Sequence, residues 1–218
     1  SFYSQLSDSD LRYTKDSLLA FLNGRQLNAN RLSPASNEAM YKTRKVPFAF
    51  DYAGDADPYT GEIISGDVNV RNSGSNHGTH VSGTVAGFVQ SQEGEVLFSG
   101  VAPDAQLMMM KVFADGGNSG ATESAILNAL EDAMTLGADA VILDLEDAVS
   151  PQEKDAARIL VRNALSLMGF SCQTVVRINA LDSGLCQQDL EEIVPQGPTA
   201  LMLSLIHISE PTRPISIS

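Results

Sequence analysis

From residue 105 onward, apolar runs of strand length alternate with amphipathic stretches of helix length. That alternation confines the chain to an α/β fold with parallel strands. Residues 107–113 form one such run, followed by the glycine-rich loop Asp115-Gly116-Gly117-Asn118-Ser119-Gly120. A helix is expected over 122–136: Ala125, Ile126, Ala129, Leu130, Ala133 and Met134 make one apolar stripe, Thr122 is the N-cap and Gly137 the stop. Residues 140–145 are continuously apolar, as in a buried parallel strand. Ser150-Pro151-Gln152-Glu153 reads as a capping box opening a helix to about Leu167. A strand over 174–178, a short helix over 188–194 and an apolar run over 199–203 complete the pattern. The strand at 107–113 is expected beside the strand at 140–145, with helix 122–136 as a right-handed crossover.

The first hundred residues are less regular. A helix is expected around 17–22, an apolar segment at 47–52 among loops, and a helix over 77–89 with Val81, Val85 and Phe88 on one face. With 218 residues, 43% of them hydrophobic, the chain has material for one globular domain or two small ones. The formal net charge of −13 argues against general affinity for nucleic acid or anionic membrane. Residues 1–45 hold seven bases (Arg12, Lys15, Arg25, Arg31, Lys42, Arg44 and Lys45) and four of the 27 acids, so the negative charge lies mainly beyond them. No apolar run approaches the ~18 residues needed to cross a bilayer. Cys172 and Cys186 have no further Cys or His near enough to complete a metal set, so they read as buried thiols or a chance pair.

The most specific stretch is Asn76-His77-Gly78-Thr79-His80-Val81-Ser82-Gly83-Thr84-Val85-Ala86-Gly87. It resembles the histidine motif of the subtilases, the subtilisin-like serine endopeptidases. Gly100-Val101-Ala102-Pro103-Asp104-Ala105-Gln106-Leu107 and Lys111-Val112-Phe113 are similar to the family's next strand. Lys45-Val46-Pro47-Phe48-Ala49-Phe50-Asp51-Tyr52 is similar to its large cell-envelope members. The resemblance covers about residues 1–140 and implies an incomplete subtilisin-like parallel-sheet domain. It makes His77 the general base, which takes the proton of a serine hydroxyl and later returns it. His80, one turn on, reads as a packed structural residue. The plainer alternative is that His77 merely caps a helix. Gly117, Asn118 and Ser119 are carried over as substrate-binding residues. The implied substrate is a polypeptide and the implied location extracellular or in the cell envelope; the resemblance implies no cofactor, and structural calcium is the one metal it leaves open.

The partners of His77 are missing from the sequence. The family's orienting aspartate stands in Asp-(Ser/Thr)-Gly before the histidine, and no such motif occurs in residues 1–76. Leu181-Asp182-Ser183-Gly184 has the form but follows the histidine, and no Gly-Thr-Ser nucleophile motif occurs. Asp51 reads as a loop residue. Ser82 lies on the same helix as His77 and cannot face it across a cleft.

From about Gly137 a second likeness begins. Ala138-Asp139-Ala140-Val141-Ile142-Leu143-Asp144-Leu145-Glu146-Asp147-Ala148-Val149, Lys154-Asp155-Ala156-Ala157-Arg158 and Val175-Val176-Arg177-Ile178-Asn179-Ala180 resemble the citrate lyase β-subunit and malyl-CoA lyase type enzymes. This implies part of a (β/α) barrel, with carboxylates at one strand end and an arginine on the next. Arg177 would hold a short dicarboxylate, with Asp144, Glu146 and Asp147 around it. The same acids could simply cap the following helix. Mg²⁺ and a CoA-type thioester are the implied cofactors, and the cytoplasm the implied location. Residues 203–213 resemble a translated sequencing-library adapter.

The expected organisation is therefore a partial subtilase domain at 1–138, a partial lyase-like segment at 139–203 and an artefactual tail at 204–218. Leu136-Gly137-Ala138-Asp139-Ala140-Val141 suits both families, so the junction is expected there. A peptidase fragment, a carbon–carbon lyase fragment and a chimera without activity remain as three readings.

Overall fold

The computed structural model describes residues 7–54, 59–60, 65–71, 74–115 and 121–204. The expected substrate-binding residues Gly117, Asn118 and Ser119 lie outside these, as does the tail from 205 onward. The chain divides into two compact units, residues 1–135 and 136–218. Both are α/β, and every strand pairing except one hairpin is parallel.

The first unit begins with three helices, α1 (Lys15–Leu22), α2 (Asn28–Leu32) and α3 (Asn37–Met40). Thr14 caps α1, its side chain accepting from the Ser17 N–H. Strand β1 (Phe48–Asp51) follows, then α4 (His77–Ala86), the hairpin β2 (Phe88–Gln90) and β3 (Val96–Ser99), β4 (Met108–Lys111) and α5 (Glu123–Thr135). The core is built from Leu18, Leu22, Leu27, Leu32, Met40, Phe48, Phe50 and Tyr52. Phe50 and Tyr52 pack edge to face, with ring centroids 4.9 Å apart.

The alternation suggested that β4 pairs with the strand at 140–145, but it does not. It pairs with β1 in parallel register, Phe48 opposite Met108 and Asp51 opposite Lys111. The reason is burial: all four residues of β1 are buried, so the segment read as part of a loop region is the innermost strand of its unit. An ion pair between Lys111 Nζ and Asp51 closes the ends of the two strands. Gln106 ties this region to the N-terminal segment, accepting from Tyr13 N at 2.9 Å and donating to Tyr13 O at 2.7 Å.

Helix α4 stops earlier than its pattern predicts. The Gly87 N–H donates to Gly83 O at 2.8 Å, and the chain turns into β2. A Cβ on Gly87 would lie 2.7 Å from Gly83 O and 2.9 Å from the Phe98 ring, so only glycine permits this turn. Val81 and Val85 are exposed, and so is His80, which sequence pattern had placed in a packed position.

Helix α5 is capped as expected, Ala125 N donating to Thr122 Oγ1 at 3.2 Å, and Gly137 adopts φ +83° after it. Its buried face is rotated from the apolar stripe. Ala125, Asn128, Ala129 and Asp132 are buried, whereas Ile126 is exposed. The cause is Asp132, 2% exposed. Its carboxylate accepts from Asn28 N at 2.7 Å, Ala29 N at 2.9 Å and the Tyr52 hydroxyl at 2.7 Å. Burial pushes this carboxyl up from its ordinary range while the three donors pull it down.

The second unit holds β5 (Ala140–Asp144), α6 (Lys154–Leu167), β6 (Gln173–Ile178), α7 (Cys186–Ile193) and β7 (Ala200–Leu203). Its sheet has the order β5-β6-β7, all parallel. Leu145, Val176, Ile178, Cys186 and Ile193 form the core, with Ala157, Val161 and Leu165 of α6 against it. Cys186 is a buried free thiol and Cys172 a half-buried one. The capping box does not form: residues Pro151–Glu153 make a 3-10 turn before α6, and Ser150 makes no side-chain cap bond. Proline at the first position favours the tight turn over the reciprocal box. Leu181–Ser183 is likewise a 3-10 turn, ended by Gly184 at φ +75°. No helix among the described residues is long and apolar enough to cross a membrane.

Removing the Asp132 carboxylate should cost the first unit about 3 kcal/mol, because it leaves two buried donors and one half-buried donor unpaired. Tyr52→Phe, which removes one donor, should cost about 1 kcal/mol. Urea unfolding followed by tyrosine fluorescence checks both. Asp132→Ala with an unchanged midpoint would show that the clasp holds nothing.

Candidate functional site

His77 is the first residue of α4. Its backbone N–H donates to Ser75 Oγ at 3.1 Å, and its side chain is exposed. Among the described residues, none hydrogen-bonds the imidazole. The nearby hydroxyl of Ser82 is engaged on its own helix, donating to Gly78 O at 2.7 Å. Asp51 is engaged as well, with Lys111 and with Ala53 N at 2.8 Å. Burial acts to lower the Lys111 pKa, but hydrogen bonds and charge from Asp51 and Asp115 hold it above its ordinary value. Asp51 is thus a strand-end ion-pair residue and not an orienting carboxylate for His77.

The second cluster lies at the carboxyl ends of β5 and β6. Parallel register sets Asp144 directly opposite Arg177. The guanidinium clamps this carboxylate with two bonds, Nε to Oδ1 at 2.8 Å and Nη2 to Oδ2 at 2.5 Å. Asp144 Oδ1 also accepts from Glu146 N at 2.9 Å and Oδ2 from Ala148 N at 3.2 Å, which folds the turn after β5 back over the strand end. Burial alone would raise the Asp144 carboxyl, but the Arg177 and backbone donors outweigh it and hold it below the ordinary range. The Asp144 bond, against burial, raises Arg177 in turn.

Glu146 is the third member. Its Oε2 lies 3.5 Å from Arg177 Nη1 and has no hydrogen-bond partner although it is buried. Asp147 is exposed and acts on Arg177 through its charge. The structure therefore brings together Arg177, Asp144 and Glu146, and leaves Asp147 at the rim.

These residues do not fit a magnesium ion by themselves. Both Asp144 oxygens already accept from Arg177 and from backbone N–H groups, and the free Glu146 oxygen faces a guanidinium. Among the described residues, no group of three His, Cys, Asp or Glu side chains is placed to hold a metal.

Beneath the cluster lies a network that the sequence pattern did not reveal. Lys154 Nζ donates to Leu145 O at 2.7 Å, to Glu146 O and to Asn179 Oδ1 at 3.0 Å. Asn179 donates through Nδ2 to Asp189 Oδ2 at 2.6 Å, and Arg158 Nε donates to Asp189 Oδ1 at 2.9 Å. Asp189 shares the inward face of α7 with Cys186 and Ile193, at helical spacing. Reading that spacing with a polar residue allowed inside would have found it.

The model of the subtilase family matches residues 11–156. The chain belongs to the subtilase family. A PII-type proteinase of Lacticaseibacillus paracasei is 30% identical over 159 residues, 72% of this chain and 7% of that protein. A PII-type proteinase of Lactococcus lactis subsp. cremoris matches to the same extent. This subtilase chain thus spans about 7% of the length of those relatives. The model of the HpcH/HpaI aldolase/citrate lyase family matches residues 122–215. The citrate lyase subunit beta of Leuconostoc mesenteroides subsp. cremoris is 44% identical over 75 residues, 34% of this chain and 25% of that protein. A subtilase segment and a citrate lyase β-like segment are therefore joined in one chain. Their matched regions overlap across α5, β5 and the start of α6, and the expected junction at 136–141 falls inside that overlap.

The Asp144–Arg177 clamp makes a testable contribution to stability. A carboxyl held below its unfolded value stabilises the fold above that unfolded value, about 4, and the contribution disappears as pH falls through the depressed one. Acidification should therefore cost the second unit about 2 kcal/mol through this pair. Asp144→Asn should remove that acid-dependent part, read as hydrogen-exchange protection of the β5 and β6 amides. Equal acid sensitivity in wild type and variant would contradict the assignment.

Proposed function

We propose that the subtilase segment carries the general base of a serine endopeptidase, His77, and that the 218-residue polypeptide hydrolyses no peptide bond itself. The observation that carries this reading is the isolation of His77. No carboxylate among the described residues fixes its tautomer, and no hydroxyl among them is placed to lose a proton to it. Triad members act as a unit, so a base without nucleophile and orienting acid contributes little. The sequence supports this, having no Gly-Thr-Ser motif anywhere. In a whole enzyme of this kind the substrate is a polypeptide, and the location is extracellular or the cell envelope.

A second reading concerns residues 139–203. The clamped Arg177 supports an acid-recognising strand end of a carbon–carbon lyase barrel, in which Arg177 Nη1 meets a short dicarboxylate and Asp144 keeps the guanidinium planar to it. Glu146 then acts as the group a substrate carboxylate displaces. Magnesium and a CoA-type thioester belong to this reading through the resemblance alone, and that parent enzyme would be cytoplasmic. We further read the join as a chimeric one. Amplification across codons 130–150 from the source DNA tests it.

Casein and fluorogenic peptides should show no turnover above background with the purified chain, and His77→Ala should leave that background unchanged. Hydrolysis that disappears in His77→Ala would reveal a nucleophile and overturn the proposal.

A further inference from the structure

We propose that Asn23 is a site of spontaneous covalent modification, converting in the folded chain to aspartate and isoaspartate through a cyclic imide formed with Gly24. Asn23 and Gly24 form the exposed turn that ends α1. Gly24 has φ +76°, and nothing lies within 4 Å of where a Cβ would stand. The Asn23 backbone N–H donates to Leu19 O at 3.1 Å and so anchors the residue. Neither the Asn23 carboxamide nor the Gly24 N–H has a hydrogen-bond partner among the described residues. The nucleophile is therefore free of any hydrogen bond that its attack would have to break, and nothing lies where a Cβ on Gly24 would stand.

Four other asparagines with described partners differ on both counts. Asn28 donates to Glu131, Asn30 to Asn37 and Asn179 to Asp189, while Asn128 accepts from Arg31. Each is followed by a residue with a Cβ, namely Ala29, Arg31, Ala180 and Ala129. Asn23 combines a free carboxamide with an unhindered glycine nitrogen.

The step balances without any added reagent but water. Hydroxide removes the Gly24 amide proton, and that nitrogen attacks Asn23 Cγ. The new N–Cγ bond forms, the Cγ–Nδ2 bond breaks, and the amide group takes a proton from water and leaves as ammonia. Water then opens the imide at Cγ, giving aspartate, or at the backbone carbonyl, giving isoaspartate. Both products place a negative charge at the C-terminal end of α1, where the helix dipole disfavours it. Isoaspartate also lengthens the main chain by one carbon. That displaces Arg25, whose guanidinium stacks 4.1 Å from the Phe21 ring centroid and donates to Phe21 O.

The test uses the full chain, held at mildly alkaline pH and then digested with trypsin, which releases residues 16–25 as one peptide. That peptide should gain the mass difference between hydroxyl and amide, and isoaspartyl methyltransferase should label it. Asn23 stands at ψ 120°, from which its Cα–C bond must turn to bring the Gly24 nitrogen onto Cγ. Conversion should therefore proceed in the folded chain more slowly than in urea, quicken as pH rises, and be lost in Asn23→Gln. Conversion confined to the urea-unfolded chain would overturn the proposal. So would a peptide 16–25 that stays unchanged while the peptide holding Asn179 converts.

Discussion

The Asp132 carboxylate sits almost wholly out of water, and its two oxygens receive the Asn28 and Ala29 N–H groups together with the Tyr52 hydroxyl. A charge in that position is tolerable only while all three donors stay in place. The contact therefore fixes which face of α5 turns inward, where α2 begins and how the residue after β1 is oriented. Tyr52 N donates in turn to Lys111 O at 2.8 Å, which carries the constraint into the β1–β4 pair. One acid thus joins segments about a hundred residues apart in sequence.

The second unit uses a comparable device. Asp189 is 1% exposed and accepts from Arg158 and from both the backbone and side chain of Asn179. Lys154 extends the network to the turn that carries Glu146. The strand-end cluster is consequently supported from below by α6 and α7, with Arg177 held flat against Asp144. The arrangement leaves Glu146 Oε2 and Arg158 Nη2 buried without hydrogen-bond partners. Both belong to segments matched by the lyase family model.

What could be read from the sequence followed from local chemistry. Strands β5 and β7 are short, largely apolar runs, β6 is a β-branched run interrupted by Arg177, and the limits of α5 are marked by Thr122 and Gly137. The twelve ordered residues around His77, and the run from Ala138 to Val149, carried the family likeness because motif order survives without any structure. What could not be read depends on partners distant in the chain. Pairing of β1 with β4 rests on packing of Phe48 and Phe50, which no periodicity announces. The inward turn of Asp132 contradicts the hydrophobic stripe and is decided by donors on α2 and Tyr52. Likewise, the exposure of His80 follows from which side of α4 the rest of its unit covers.

Within its own unit, and among the described residues, α6 and α7 pack against one face of the sheet β5-β6-β7. Ile142 remains 57% exposed and Met202 42% exposed on the opposite side. Parallel sheets are ordinarily covered on both faces. A chain that presents such a surface after folding displays to the cell what a half-folded protein displays. Chaperones and degradative proteases sort polypeptides by exposed apolar strands of this kind. Surveillance of that kind reads exposed strand residues such as Ile142 and Met202 and is indifferent to how firmly buried carboxylates are held.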